Sequence, residues 1–266
     1  MGIHSTSLVD RSARLHAGAE VGPYCVIGPG VTIGEGTTLV AHVLVTGHAS
    51  VGAGNTIHPY AVIGGDAQDL GHHSDDSCVV LGDNNWIGVG VTVNSGTTKG
   101  DLSTTLGHRN RLGQGAHVAH DCRVADDCVL GEKCLLAGHV RVGNGASLGA
   151  RSGVHQFATI GRLTAVGDSA RVSRDVPPFM RILESGCAVD GVNAAGLRGQ
   201  GIGEGEIEEL LQVYQVLWED PLPKPEALSL VKSRFGGRPL VQELLEFLKA
   251  SDGGRMGRSQ EVERRT

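Results

Sequence analysis

The chain has 266 residues, of which 41 are glycine and only 3% aromatic, so its interior must be filled by small aliphatic side chains rather than rings. A formal charge of −6 without a basic run in the body argues against nucleic acid as a partner, because neutralising phosphates needs clustered Lys and Arg. No apolar run approaches the ~18 residues that span a bilayer, and no secretory leader precedes Leu8, so a cytoplasmic protein with no integral membrane segment is expected.

From the first residues an aliphatic side chain recurs at every sixth position. Ile3, Val9, Leu15, Val21, Ile27, Ile33, Leu39, Val45, Val51, Ile57 and Ile63 form one register, and Leu106 through Leu112, Val118, Val124, Leu130, Leu136, Val142, Leu148, Val154, Ile160, Val166 and Val172 form a second. Such a period excludes an α-helix and fits one short strand plus a turn. Three hexads close a triangular coil, so 18 residues make one rung, and rungs stack at about the 4.8 Å spacing of strands. The predicted fold is an all-β solenoid, a parallel β-helix over 1–180. The opening MGIHST carries a myristoylation-like pattern at Thr6, but Ile3 already serves the hexad register and lipidation is not expected.

Two interruptions break the register. GDAQDLGHHSDDS, where Asp69 and Asp75 replace aliphatics, predicts an excursion over 64–80, and NSGTTKGDLSTT predicts a second over 94–105. Excursions from a regular coil are where binding residues are displayed. After Val172 the hexads stop, and Pro177-Pro178 marks a boundary. The extension 181–266 is expected to be a C-terminal α-helical domain, mostly helical from 203. Ile207, Leu210, Leu211, Tyr214 and Leu217 fall at helical spacing, and KPEALSLVKSRF and RPLVQELLEFLKAS read as two further amphipathic helices. The basic tail 255–265 is expected to be a solvated end.

The six cysteines contain no CxxC pair and read as reduced thiols. Cys25, Cys122, Cys128 and Cys134 each stand two residues before an aliphatic hexad position, where a small inward residue is needed. The histidines are different. Counted modulo 18, His139 and His155 fall one position to either side of His120 on three successive rungs, so the three are expected at nearly the same corner of the coil. His117 precedes His120 by three residues, a ~10 Å extended span, and within one subunit can face elsewhere. Gly138 shares the remainder of His120 and offers a backbone N–H one rung away.

AHVAHDC, LAGHV, VHQF, DVPP, QDL and GVN, in that order and spacing, resemble the UDP-N-acetylglucosamine O-acyltransferases that begin lipid A synthesis. The likeness extends over nearly the whole chain. It implies a left-handed coil, since the hexad period alone fixes no hand and connections are normally right-handed. It also implies a homotrimer with active sites between neighbouring solenoids. The reaction implied is transfer of an acyl chain, commonly 3-hydroxylated, from acyl carrier protein to the sugar 3-hydroxyl of a UDP-sugar, with no metal and no cofactor. By position, His120 matches the general base and Gly138 the oxyanion donor. Gln68, Asp69, His117, His139, His155, Gln156 and Asn193 match substrate-binding positions, with Arg198 standing in what is left of a basic run. Asp168 falls near the residue that ends the acyl groove.

The pattern is departed from at Asn94-Ser95 (usually His-Arg), at Gly71 (usually Lys), at Gly199-Gln200 (usually basic) and at ESGCA, 184–188 (usually Gly-Asn-x-Ala). These leave open the sugar, the acyl length, an N-acylating relative with another donor, and a non-catalytic scaffold. A zinc hydratase sharing the solenoid fits poorly, because no two histidines here stand five residues apart.

Overall fold

The computed structural model describes residues 2–72, 76–183 and 187–261. Among them the chain coils through three sheets of eleven, nine and eight strands, parallel throughout except for one terminal pair. Away from the interruptions and the C-terminal end of the coil, each strand pairs with the one 18 residues on, as in Gly2↔Glu20, Leu8↔Val26 and Arg14↔Thr32. Three hexads therefore make one turn of a β-solenoid, as the period requires.

The aliphatic hexad residues are buried from Val21 onward, whereas Ile3, Val9 and Leu15 in the first turn stay partly exposed because only one side of that turn is covered. Each buried Leu, Ile or Val contributes about 1.5–3 kcal/mol relative to exposure. The second inward position holds small residues. Asn55, Asn85 and Asn110 stack there, and each Oδ1 accepts the backbone N–H of the next turn at 2.8 Å. Cys128 continues this line, while Cys25, Cys122 and Cys134 are buried at the equivalent positions of the other two sheets; burial pushes the Cys122 and Cys128 thiols up to about 12 and Cys134 to about 11. They fill space as protonated thiols; all six cysteines are free.

The register step widens from 18 to 30 between Ile57 and Ile87, and to 25 between Val93 and Val118, so twelve and seven residues leave the coil. Strands Val62–Gly65, Cys78–Leu81 and Ser103–Leu106 run up to these excursions, which are narrower than the 64–80 and 94–105 expected. Parallel pairing at their ends holds those residues in the ladder. Both excursions leave where the second sheet hands over to the third, on adjacent turns. The next turns place His120 and Asp121 at that same handover, between His117–Val118 and Arg123–Val124.

The coil does not stop at Val172. Val176 bridges to Ile160, and Met180–Ile182 pairs with Ala165–Val166 before Gly191–Val192 returns antiparallel. Pro177 is accommodated because the backbone bonds of this turn are made by Val176, and the Pro177 carbonyl accepts from Thr164 Oγ1 at 2.8 Å. A short helix α1 (Ala194–Gly199) follows, then α2 (Glu204–Tyr214), α3 (Lys224–Phe235) and α4 (Pro239–Gly253). They share a second core with Phe179, Met180, Ile207, Leu210, Val213 and Leu244. No helix among the described residues is long and apolar enough to cross a membrane. The tail is not a solvated end: Arg258 and Glu261 are buried against each other, while 262–265 lie outside the described residues.

Candidate active site

His120 Nδ1 is 2.8 Å from Asp121 Oδ2, and both side chains are largely buried. Thr97, carried by the second excursion, donates its N–H to Asp121 Oδ1 at 2.8 Å and its hydroxyl to Oδ2 at 2.7 Å. Burial alone would raise the Asp121 carboxyl, but the hydrogen bonds from His120 and Thr97 hold it below the usual carboxylate range. An ionised acceptor beside Nδ1 fixes the imidazole tautomer, so Nε2 is left as the basic nitrogen. Sequence reasoning missed both Asp121 and Thr97. The signal was present in HD at 120–121, but adjacent residues on a strand normally face opposite ways, and only the corner turns the two toward each other.

The corner also corrects the histidine stack. Asp121, His139 and Phe157 occupy equivalent positions on successive turns, with left-handed φ of 60°, 61° and 64°. His139 meets His120 edge-to-face, ring centroids 5.3 Å apart, places Nε2 3.5 Å from Asp121 Oδ2, and stacks on Phe157 at 4.4 Å. His155 lies off this stack, exposed, its Nδ1 2.9 Å from the Gln156 carbonyl oxygen. The single-position differences in remainder, treated as equivalent in sequence, decide which face each ring meets.

A groove of about 550 Å³ runs over the second sheet. His117, His120, Gly138, His155 and, from the first excursion, Gln68 line it, with Leu135, Leu136 and Val154 as an apolar wall. His117 therefore faces the groove with His120; burial, and then the neighbouring His120 charge, push its imidazole below the usual value. Its Nδ1 is 2.7 Å from Thr92 Oγ1. Among the described residues the Gly138 N–H makes no hydrogen bond. His139 faces a separate polar pocket of about 300 Å³ with Lys99, Arg123, Arg141 and Gln260. His120, Asp121 and His139 bring ligand-type atoms within 4.8 Å of one another, a spacing that could hold a cation, but both carboxylate oxygens are already taken by Thr97 and His120.

The remaining candidates lie apart from this cluster. Asn193 caps α1, accepting from Gly196 N and donating to Leu163 O at 2.8 Å. Arg198 forms an ion pair with Glu204 at 2.6 Å. Gln156 is exposed, and Asp168, also exposed, accepts the Ala150 N–H at 2.8 Å outside the groove lining of the single chain.

Residues 12–47 match a bacterial transferase hexapeptide model, and residues 175–256 match the second domain of UDP-N-acetylglucosamine O-acyltransferase. The chain is 36% identical to the acyl-[acyl-carrier-protein]--UDP-N-acetylglucosamine O-acyltransferase of Herminiimonas arsenicoxydans, over 95% of this chain and 98% of that one. The chain belongs to this family. The O-acyltransferase of Rhizobium rhizogenes is 35% identical over 93% of this chain and 92% of its own length. The solved UDP-N-acetylglucosamine acyltransferase of Francisella novicida superposes with a TM-score of 0.88 at 34% identity, covering 93% of this chain and 91% of that one.

Within this O-acyltransferase family two of the departures, at Gly71 and at Asn94-Ser95, have structural explanations. Lys99 Nζ bonds Asp69 at 2.7 and 2.9 Å and stands 3.3 Å from where a Cβ of Gly71 would be. The second excursion thus brings a cation to the place the resemblance gives to a lysine at 71. Ser95 is buried and Asn94 donates to the Asp66 carbonyl, so both close the base of the first excursion. Of ESGCA, 184–186 lie outside the described residues.

Proposed function

We propose that this chain transfers an acyl group from acyl carrier protein to the 3-hydroxyl of UDP-N-acetylglucosamine, the reaction that begins lipid A synthesis. The observation that carries this reading is the His120–Asp121 pair facing a groove beside a free glycine N–H. A sugar hydroxyl is a weak nucleophile near neutral pH. His120 Nε2 takes its proton as the oxygen attacks the thioester carbonyl, and Asp121 stabilises the imidazolium. The Gly138 N–H receives the oxyanion. Collapse breaks the carbon–sulfur bond, and the carrier thiolate regains the proton from His120. None of these steps needs a metal or cofactor.

His117, His155, Gln68, Asp69 and Gln156 are proposed to hold the sugar and its phosphates. His139 backs Asp121, and Asn193 and Arg198 are assigned to the nucleotide side. The likeness to the family supports a left-handed coil, a cytoplasmic location, and a homotrimer whose neighbouring solenoids complete the groove and bring Asp168 toward the acyl tail. Purified protein given 3-hydroxyacyl carrier protein and UDP-N-acetylglucosamine should yield the 3-O-acyl sugar nucleotide by mass spectrometry. Thioester loss without that product would overturn the assignment.

A further inference from the structure

We infer that Gln260, on the C-terminal tail, is a positioning residue for the His120–Asp121 pair, held in place by a strap formed by residues 257–261. Its side-chain amide donates to the carbonyl of His139 at 3.0 Å and to that of Phe157 at 3.1 Å. One NH₂ group therefore staples two successive turns at the corner where both residues sit in left-handed backbone. Those two residues carry the stacked rings, and the His139 ring is the one that meets both Asp121 and His120. A shift of either carbonyl moves the stack, and the stack is one wall of the cage around the imidazole–carboxylate pair.

The strap is seated in a built site. Asp175, itself buried, accepts Ser259 N–H at 2.8 Å and Thr159 N–H at 2.7 Å, and its own N–H donates to Gly257 O at 2.7 Å. Arg258 donates to the Ser173 carbonyl at 2.8 Å and pairs with Glu261 at 2.8 Å, both side chains buried. Arg258 and Glu261 are charged residues that cost free energy to bury, and their mutual pair together with the Ser173 carbonyl offsets that cost. The segment follows residue 256, where the match to the family's second-domain model ends.

Gln260 is not a catalytic residue, because two backbone carbonyls and a ring stack separate it from the reacting atoms. Its effect on rate rests on the assignment of His120 as base. The full-length protein and its Gln260→Met and Gln260→Asn variants should be compared by steady-state kinetics and by ¹⁵N-histidine spectra. Met removes the donor at similar length, and Asn keeps the donor but falls short. Both variants are expected to lower kcat about tenfold, the scale of a small misplacement of a reacting group, with KM for each substrate within twofold and the His139 ring resonances displaced. Unchanged kcat and unchanged His139 resonances in both would overturn the proposal, as would a wild-type-like Gln260→Asn. If wild-type protein transfers no acyl group, the functional reading falls, and the ring resonances alone then decide the positioning role.

Discussion

A Cβ built on Gly138 would stand 2.5 Å from His120 Cε1 and 2.7 Å from Nε2, so the imidazole is seated directly on a glycine of the next turn. Those distances are inside van der Waals contact, and the neighbour that must move is the proposed base itself. Gly138→Ala should therefore lower turnover by about 10²-fold, since small displacements of a reacting group are costly. Thermal unfolding should change little, because the methyl group points into the groove and not into the coil. Steady-state kinetics beside a melting curve checks both. Wild-type turnover in the variant would show that His120 has room to spare.

Removing the base gives a complementary expectation. His120→Ala should cost roughly 10²–10⁴ in kcat, the range of general-base loss. Asp121→Asn should cost less but leave KM near its original value, because the amide still fills the corner while no longer stabilising the imidazolium. Should Asp121→Asn be the more damaging of the two, the roles assigned to the pair would have to be exchanged.

The coil was legible in the sequence because its period is a direct geometrical consequence of strand and turn length, and every buried hexad residue from Val21 to Val172 stands where that period puts it. His120, Gly138 and Gln68 were legible as a group through the motifs around them. Asp121 was not, since the turn of the corner lies between it and His120 and no period reports side-chain direction there. The tail was misread for a related reason. Arg258, Glu261 and Gln260 look solvated in a charged stretch, and only the buried Asp175, 84 residues before Ser259, reveals the seat. Sequence patterns report repeating local geometry; they do not report a single long-range pairing that occurs once.

Lys99 supplies a further test. It joins the two excursions through Asp69, and the Lys99 hydrogen bond, then that of the Gly71 N–H, hold the Asp69 carboxyl below its usual range. If Lys99 acts in place of a lysine at 71, Lys99→Ala should raise KM for the UDP-sugar severalfold with a smaller effect on kcat, and adding Gly71→Lys should restore it. Nζ of Lys99 leaves the space that the new side chain needs. A Lys99→Ala protein with unchanged KM would confine the residue to loop closure.

Stability should fall in two separate steps on acidification. His117 has its folded pKa below the ordinary 6.5, so the unfolded chain binds the proton first, and the stability it contributes is full above 6.5 and lost as pH falls through the lower folded value. Asp121, lowered from 3.8, does the same in a more acidic window. His117→Gln should remove the upper step and Asp121→Asn the lower one. Melting temperatures between pH 3 and pH 8 read both; an unaltered profile in either variant would separate that residue from the linkage.

The acyl tail sets the last expectation. The groove beside His120 is walled by Leu135, Leu136, Val154 and Val172, which suit hydrocarbon, and the proposed homotrimer would bring the Asp168 side chain of a neighbouring solenoid toward the acyl tail. Each methylene buried in such a groove contributes about 0.8 kcal/mol, and a terminal methyl facing a carboxylate forfeits part of that. Short or hydroxylated donors should therefore be preferred, and Asp168→Gly should move the preference toward longer chains in a competition among carrier-protein thioesters read by mass. The same variant loses the hydrogen bond to the Ala150 N–H, worth about 1 kcal/mol, so a modest drop in melting temperature should accompany the shift. A lower melting temperature with an unmoved chain preference would mean that the carboxylate serves the turn alone and that another residue sets the length.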